Sequence, residues 1–350
     1  MSVERSGASL PRIMELDALR GLAALAVVVF HFTSHYQRLY GHTGPLPFEF
    51  NVGNYGAHFF FVISGFVIFM TLERTKHVRD FVVSRFSRLF PAYWAALLIT
   101  LVTVQTVGLP GQHVSTRDAL LNVTMMADFF GAHEVDGSYW TLQIELFFYL
   151  QMMIWFVIGA LHRARIVIVC WLLLAFAYGL EARLGVALSY TLRELLIVRF
   201  IPFFAAGVLL YRVYDGRDKP WLNASLLAAA VLDAWILWSW VEATVLAACI
   251  GLFLLFIRGK LHVLAQRPFV FLGTVSYTLY LLHQSIGFIL IAKLEAAGVQ
   301  PLVSIVLAGL AVFGMASLLT FAVERPAMRA IRDAYKRWRQ GLTLPSQGAG

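Results

Sequence analysis

The chain has 350 residues, 59% of them hydrophobic and 14% charged, with a formal charge of +8 and two cysteines. Soluble globular domains run at about half apolar and about a quarter charged, so this chain has too little polar surface to face water and reads as an integral membrane protein. Its positive charge is sorted by membrane side rather than gathered for nucleic acid, and Cys170 and Cys249 lie in apolar runs where a thiol packs as a small hydrophobe, outside any disulfide or metal site.

Ten runs of about 20 apolar residues can each cross a bilayer: 16–36, 55–73, 90–108, 140–161, 166–182, 196–214, 222–240, 242–257, 269–292 and 302–323. The fold class is therefore an all-α polytopic membrane protein. A single domain over 1–339 is expected, with a Gly/Ser/Pro-containing tail over 340–350 read as disordered. The first run is kept as a span: Arg20 interrupts it, it is too long for a signal core, and no small-residue cleavage site follows. With the N-terminus cytoplasmic, Arg38, Arg117, Arg183, Arg193 and Lys293 fall outside, Arg199 lies within a span, and the remaining 22 lysines and arginines fall on the cytoplasmic side. Both termini are then cytoplasmic.

In the first span, Arg20 and His31 are eleven residues apart. At about 100° per residue they share a face, and at ~1.5 Å per residue they lie roughly 16 Å apart along the axis. A cation thus marks the cytoplasmic boundary and an imidazole the middle of the bilayer, where ionisable groups are costly and default to function. The second span carries Phe59-Phe-Phe-Val-Ile-Ser64-Gly65-Phe66, whose small residues suit close helix approach. At the cytoplasmic mouth of the third, Arg85 and Arg88 fall on one helical face; alone they read as ordinary flanking charge, but with Arg20 at the same depth they suit an anionic ligand such as a phosphate. The outer loop 109–139 holds His113, His133, Glu134 and Asp136; a loop of this length can cover a site, while each histidine taken alone reads as a solvated connector residue.

In the fourth span, Glu145 needs a partner. One reading pairs it with His31, fixing the tautomer and raising the basicity of the other ring nitrogen; the other is an ion pair with an arginine such as Arg199. In the ninth span, Ser276, Tyr280 and His283 form a polar stripe at i, i+4 and i+7, with Tyr277 beside it; such a stripe is either packing or the wall of a cavity shared with His31. Asp233 and Glu242 have no sequence neighbours that suggest a role.

These residues resemble the acyltransferase 3 family of membrane O-acyltransferases that modify cell-envelope sugars. The likeness rests on Leu16-Asp17-Ala18-Leu19-Arg20-Gly21 with His31 following, Phe60-Phe61-Val62-Ile63-Ser64-Gly65-Phe66, Arg85-Phe-Ser-Arg88-Leu-Phe-Pro91-Ala-Tyr93, Trp140-Thr-Leu-Gln-Ile-Glu145-Leu-Phe-Phe-Tyr149, Ser276-Tyr277-Thr-Leu-Tyr280-Leu-Leu-His283 and Glu324-Arg-Pro326-Ala-Met-Arg329. It spans Leu16 to Arg329. Each motif is weak alone; six in order on ten spans are specific. The family usually has glycine where Ala18 stands, a mild departure at a helix start.

The resemblance implies an acyl-CoA donor, acetyl-CoA or another, entering from the cytoplasm. It also implies an acceptor hydroxyl on an envelope glycan or lipid-linked sugar, an essential histidine at His31, and the arginines 20, 85 and 88 near the donor's phosphates. It places the protein in a bacterial inner membrane, without the extra periplasmic hydrolase-like domain of some relatives. On this reading Glu145 orients His31, and Ser276, Tyr277 and Tyr280 line the donor path, with Ser276 or Tyr280 donating to the developing oxyanion. His31 acts as general base or briefly carries the acyl group. No metal is required. The competing reading is a transporter or flippase using His31 and Glu145 as a proton relay.

Overall fold

A computed structural model describes residues 13–183, 189–216 and 218–343. Arg5, Arg12 and Arg217 of the charge tally, and the expected tail beyond 343, lie outside the described residues.

Ten helices are long and apolar enough to cross a membrane, and no strand occurs among the described residues. They contain α1 (Met14–Phe30), α2 (Gly56–Leu72), α3 (Val78–Val107), α4 (Trp140–Val157), α5 (Ala164–Arg183), α6 (Ile201–Tyr214), α7 (Pro220–Leu237), α8 (Trp240–Ile257), α9 (Arg267–Ala296) and α10 (Pro301–Leu319), followed by a basic helix α11 (Arg325–Thr343). The composition alone dictates this. With no water in the hydrocarbon region, each backbone must satisfy its own N–H and C=O groups, which a helix does internally.

Two helix pairs are parallel and packed almost backbone to backbone. A Cβ on Gly21 would lie 2.5 Å from the Gly273 nitrogen, and one on Gly273 would lie 2.0 Å from the Asp17 carbonyl, so α1 and α9 touch where only glycine fits. Gly65 and Gly207 do the same for α2 and α6: a Cβ on Gly207 would lie 2.1 Å from the Val62 carbonyl. The small residues beside Ser64 therefore set helix approach, and Ser64 itself faces away from this contact.

Two π-helical turns interrupt otherwise regular spans. One covers His31–His35 and continues into Tyr36–Leu39; the other covers Thr320–Glu324, between α10 and α11. Each inserted residue widens the helix and re-aims its side chains, a feature common at functional positions. Here the turns hold His31 and Glu324.

The third span differs from its expected limits. α3 begins twelve residues early, at Val78, and continues through Pro91, so Arg85 and Arg88 stand within a 30-residue helix rather than at its mouth. The outer segment between α3 and α4 is also not a solvated connector. It contains the short helix Thr116–Asn122, and the fully buried Asp136 ties it to the middle of α9.

Candidate active site

A cavity of about 120 Å³ lies between α1, α2, α3, α4 and α9. Its wall includes Arg20, Arg85, Arg88, Glu145, Ser276, Tyr277 and Tyr280, along with Ser64 and Thr141. Residues up to 260 positions apart in sequence thus share one chamber, polar at the arginine end and lined by Phe60, Phe61 and Ile63 elsewhere.

The arginines are held differently. Arg20 Nη1 donates to Asp17 Oδ1 at 3.2 Å, one turn back on α1. Arg88 is paired with Glu324, a carboxylate only 1% exposed, presented by the second π turn, and its guanidinium lies 5.8 Å from the Tyr277 ring centre. Among the described residues Arg85 donates only to Ser84, and its buried Nε has no partner. A fourth cation, Arg332 of α11, donates to Ser87 Oγ at 3.1 Å. Neither Glu324 nor Arg332 could be assigned from sequence, since α11 reads there as a basic flank.

Glu145 does not orient His31. Its carboxylate accepts from Ser64 Oγ at 3.0 Å and from the Tyr149 hydroxyl, and it faces the arginine cluster, where it offsets Arg20 electrostatically. The Arg199 pairing fails too, because Arg199 stacks on the Trp238 ring at 3.9 Å. One turn of α4 decides this. Glu145 and Tyr149 at i and i+4 form a single polar face toward the cavity, and Ser64 meets it from α2.

The hydroxyls on the cavity wall, including Ser276 and Tyr280 of the expected oxyanion role, are already committed as donors. Ser276 Oγ donates to the Gly273 carbonyl at 2.8 Å and Tyr277 OH to the Leu89 carbonyl at 3.0 Å. Tyr280 OH and Thr141 Oγ1, 2.8 Å apart, share the Ser138 carbonyl at 3.1 Å. A hydroxyl has one hydrogen, and both are spent: one goes to the carbonyl and the other to its neighbour. These residues shape and line the cavity without supplying a free donor.

Beyond Tyr280, one turn along α9, stands His283, fully buried. Its Nε2 lies 2.7 Å from His31 Nδ1, and its Nδ1 lies 2.7 Å from the Tyr280 carbonyl. His31 is partly exposed, packed against Phe30 and edge-on to His35, with ring centres 5.0 and 5.1 Å away. Among the described residues its Nε2 makes no hydrogen bond. The polar stripe read from α9 therefore meets His31 through His283, although its tyrosines border the cavity.

The outer segment 135–139 closes over this point. Asp136 accepts from the Ser285 N–H at 2.8 Å, from the Ser138 N–H at 3.0 Å and from Ser138 Oγ at 2.6 Å. Tyr139 OH donates to the Leu281 carbonyl at 3.1 Å. Beside it, burial and the proximity of Asp128 and Asp136 push the Glu134 carboxyl up from an ordinary 4.5 to about 9. Between those values the folded chain keeps a proton that the unfolded chain releases, so stability is greatest below pH 4.5 and is lost as pH rises through 9. Differential scanning fluorimetry of the detergent-solubilised protein should show Tm falling by several degrees from pH 5 to 9, and Glu134→Gln should flatten that slope. An unchanged slope in the variant would refute the assignment.

Comparison with known proteins extends this picture. The family model described as "Acyltransferase domain" matches residues 13–322. YrhL of Bacillus subtilis (strain 168), provisionally named a peptidoglycan O-acetyltransferase, is 25% identical across 89% of this chain and 54% of its own length. Nodulation protein 10 of Rhizobium leguminosarum bv. viciae is 26% identical across 79% of this chain and 83% of its own. The chain thus spans about half the length of YrhL. No solved structure matches. With a family model covering nearly every membrane helix, the chain belongs to the acyltransferase 3 family.

Proposed function

We propose that this protein transfers an acyl group, acetyl first among them, from cytoplasmic acyl-CoA to a hydroxyl of an envelope glycan or lipid-linked sugar. The observation that carries the reading is the cavity, on whose wall three guanidiniums from two helices stand and which reaches Tyr280, one turn of α9 short of His283 and its partner His31. Arg20, Arg85 and Arg88 would hold the phosphates of the donor. The buried, unpartnered Arg85 Nε is a donor in want of an anionic acceptor, which fits such a group. The apolar wall of Phe60, Phe61 and Ile63 suits an acyl-pantetheine arm, and the roughly 16 Å between Arg20 and His31 lies within its extended reach.

His31 Nε2 takes the proton of the acceptor hydroxyl as the hydroxyl oxygen bonds to the thioester carbonyl carbon. The carbon–sulfur bond then breaks, and the proton passes from Nε2 to the departing thiolate. Glu145 offsets the arginine cluster before the donor binds. The lysine and arginine distribution supports a cytoplasmic position for the arginine end and both termini, in the inner membrane, within one domain over 1–339.

Thermal stabilisation by CoA tests the donor site. Millimolar CoA should raise Tm by several degrees, because a ligand that binds only the folded state stabilises it by mass action. Arg85→Ala, which breaks no ion pair seen here, should remove most of that shift. No shift in the parent protein, or an equal shift in the variant, would sink the phosphate assignment. The acceptor is tested by mass spectrometry of envelope glycans from cells with and without the protein, where acetyl should be lost together with it.

A further inference from the structure

We infer that His283 is a positioning residue for His31, fixing its imidazole tautomer so that Nε2 carries the basic lone pair. The inference rests on the proposed role of His31 as general base and goes one residue further. The argument is one of hydrogen counting. The Tyr280 carbonyl, 2.7 Å from His283 Nδ1, can only accept, so that nitrogen carries the hydrogen. A neutral imidazole has one N–H, which leaves His283 Nε2 as an acceptor. The hydrogen in the 2.7 Å contact between the rings must then come from His31 Nδ1, and His31 Nε2 is left bare. The opposite arrangement needs an imidazolium at His283. That would be a fully buried charge without a hydrogen-bonded carboxylate, since the nearby Asp136 spends its oxygens on Ser285 and Ser138.

The fold sets this contact from both sides. Below it, Gly21 and Gly273 bring α1 and α9 together; above it, a Cβ on Gly287 would lie 2.2 Å from the Phe32 ring. Between them, the π turn starting at His31 aims its ring at α9. On the same turn of α9, the Leu281 carbonyl accepts from Tyr139 OH at 3.1 Å, which holds the turn carrying His283. During transfer His31 gains and returns one proton at Nε2, while His283 neither gains nor loses one; it accepts from Nδ1–H throughout and so supports the transient imidazolium.

Selective ¹⁵N-histidine labelling of the full-length protein in detergent reads the tautomer directly, with the His31 signals assigned by their loss in His31→Gln. The parent should show His31 protonated at Nδ1 and bare at Nε2, and His283→Phe should shift it toward the Nε2–H form. In the same variant kcat should fall about 100-fold or more while KM for acyl-CoA stays within about twofold, as expected when only the base is misoriented. His283→Gln, whose Oε1 can accept from Nδ1, should recover activity to within about tenfold of the parent. A parent His31 protonated at Nε2 overturns the inference even if neither His283 variant folds, and so does an unchanged kcat in a folded His283→Phe. Full activity in His31→Gln would instead defeat the general-base reading, leaving the tautomer measurement to decide the His283 contact by itself.

Discussion

Replacing His31 by glutamine should lower acyl transfer by about 10³-fold or more, with donor binding nearly unchanged. General-base catalysis contributes about 10²–10⁴ to such reactions, and loss of a residue acting in a unit removes most of what that unit supplies. Binding should survive because His31 lies away from the arginines: it is absent from the cavity wall on which Arg20, Arg85 and Arg88 meet. Glutamine is the informative replacement, as it keeps a polar group beside His283 and so separates lost chemistry from lost packing. The measurement is release of labelled acetyl to acceptor by purified protein, paired with CoA-induced stabilisation of the same variant. Retention of more than a tenth of parent activity would exclude His31 as the base, and loss of CoA stabilisation would mean that the histidine helps to build the donor site.

Asp136→Ala should be the most destabilising single change near the site, with Tm lowered by roughly 5 °C. The carboxylate is fully buried and accepts three hydrogen bonds, including one from the backbone N–H of Ser285 in the middle of α9. Alanine leaves the Ser285 and Ser138 N–H groups unpaired away from water, at about 1–3 kcal/mol each, or about 2–6 kcal/mol together. For a chain of this size each kcal/mol moves Tm by about 1–2 °C. Asp136→Asn keeps one acceptor oxygen and should fall between the two. Thermal melts of the three proteins decide the matter: an alanine variant within about 2 °C of the parent would show that the outer segment is not clamped through this residue. Activity should fall along with stability, because the same segment holds the turn of α9 that carries His283, through Tyr139 OH on the Leu281 carbonyl.

The sequence by itself determined the membrane fold and marked several of the polar residues that meet in the cavity. Ten apolar runs could only become ten helices, because a bilayer leaves the backbone no other way to satisfy itself. Polar residues inside or flanking those runs mark candidates, and Arg20, Arg85, Arg88, Glu145, Ser276, Tyr277 and Tyr280 do line one chamber. Partnership is what only the tertiary structure decided. Hydrogen bonds depend on ångström distances and on the roll of each helix about its axis, and nothing in a single sequence fixes the roll of α4 against α1. So Glu145 turned to Ser64 and the arginines, His31 met His283, and Asp136, a loop residue without an expected role, became the buried clamp on α9. The π turns at His31 and Glu324 were equally hidden: a one-residue widening leaves the apolar pattern almost unchanged, yet it re-aims the two side chains on which the arginine pair and the histidine pair depend.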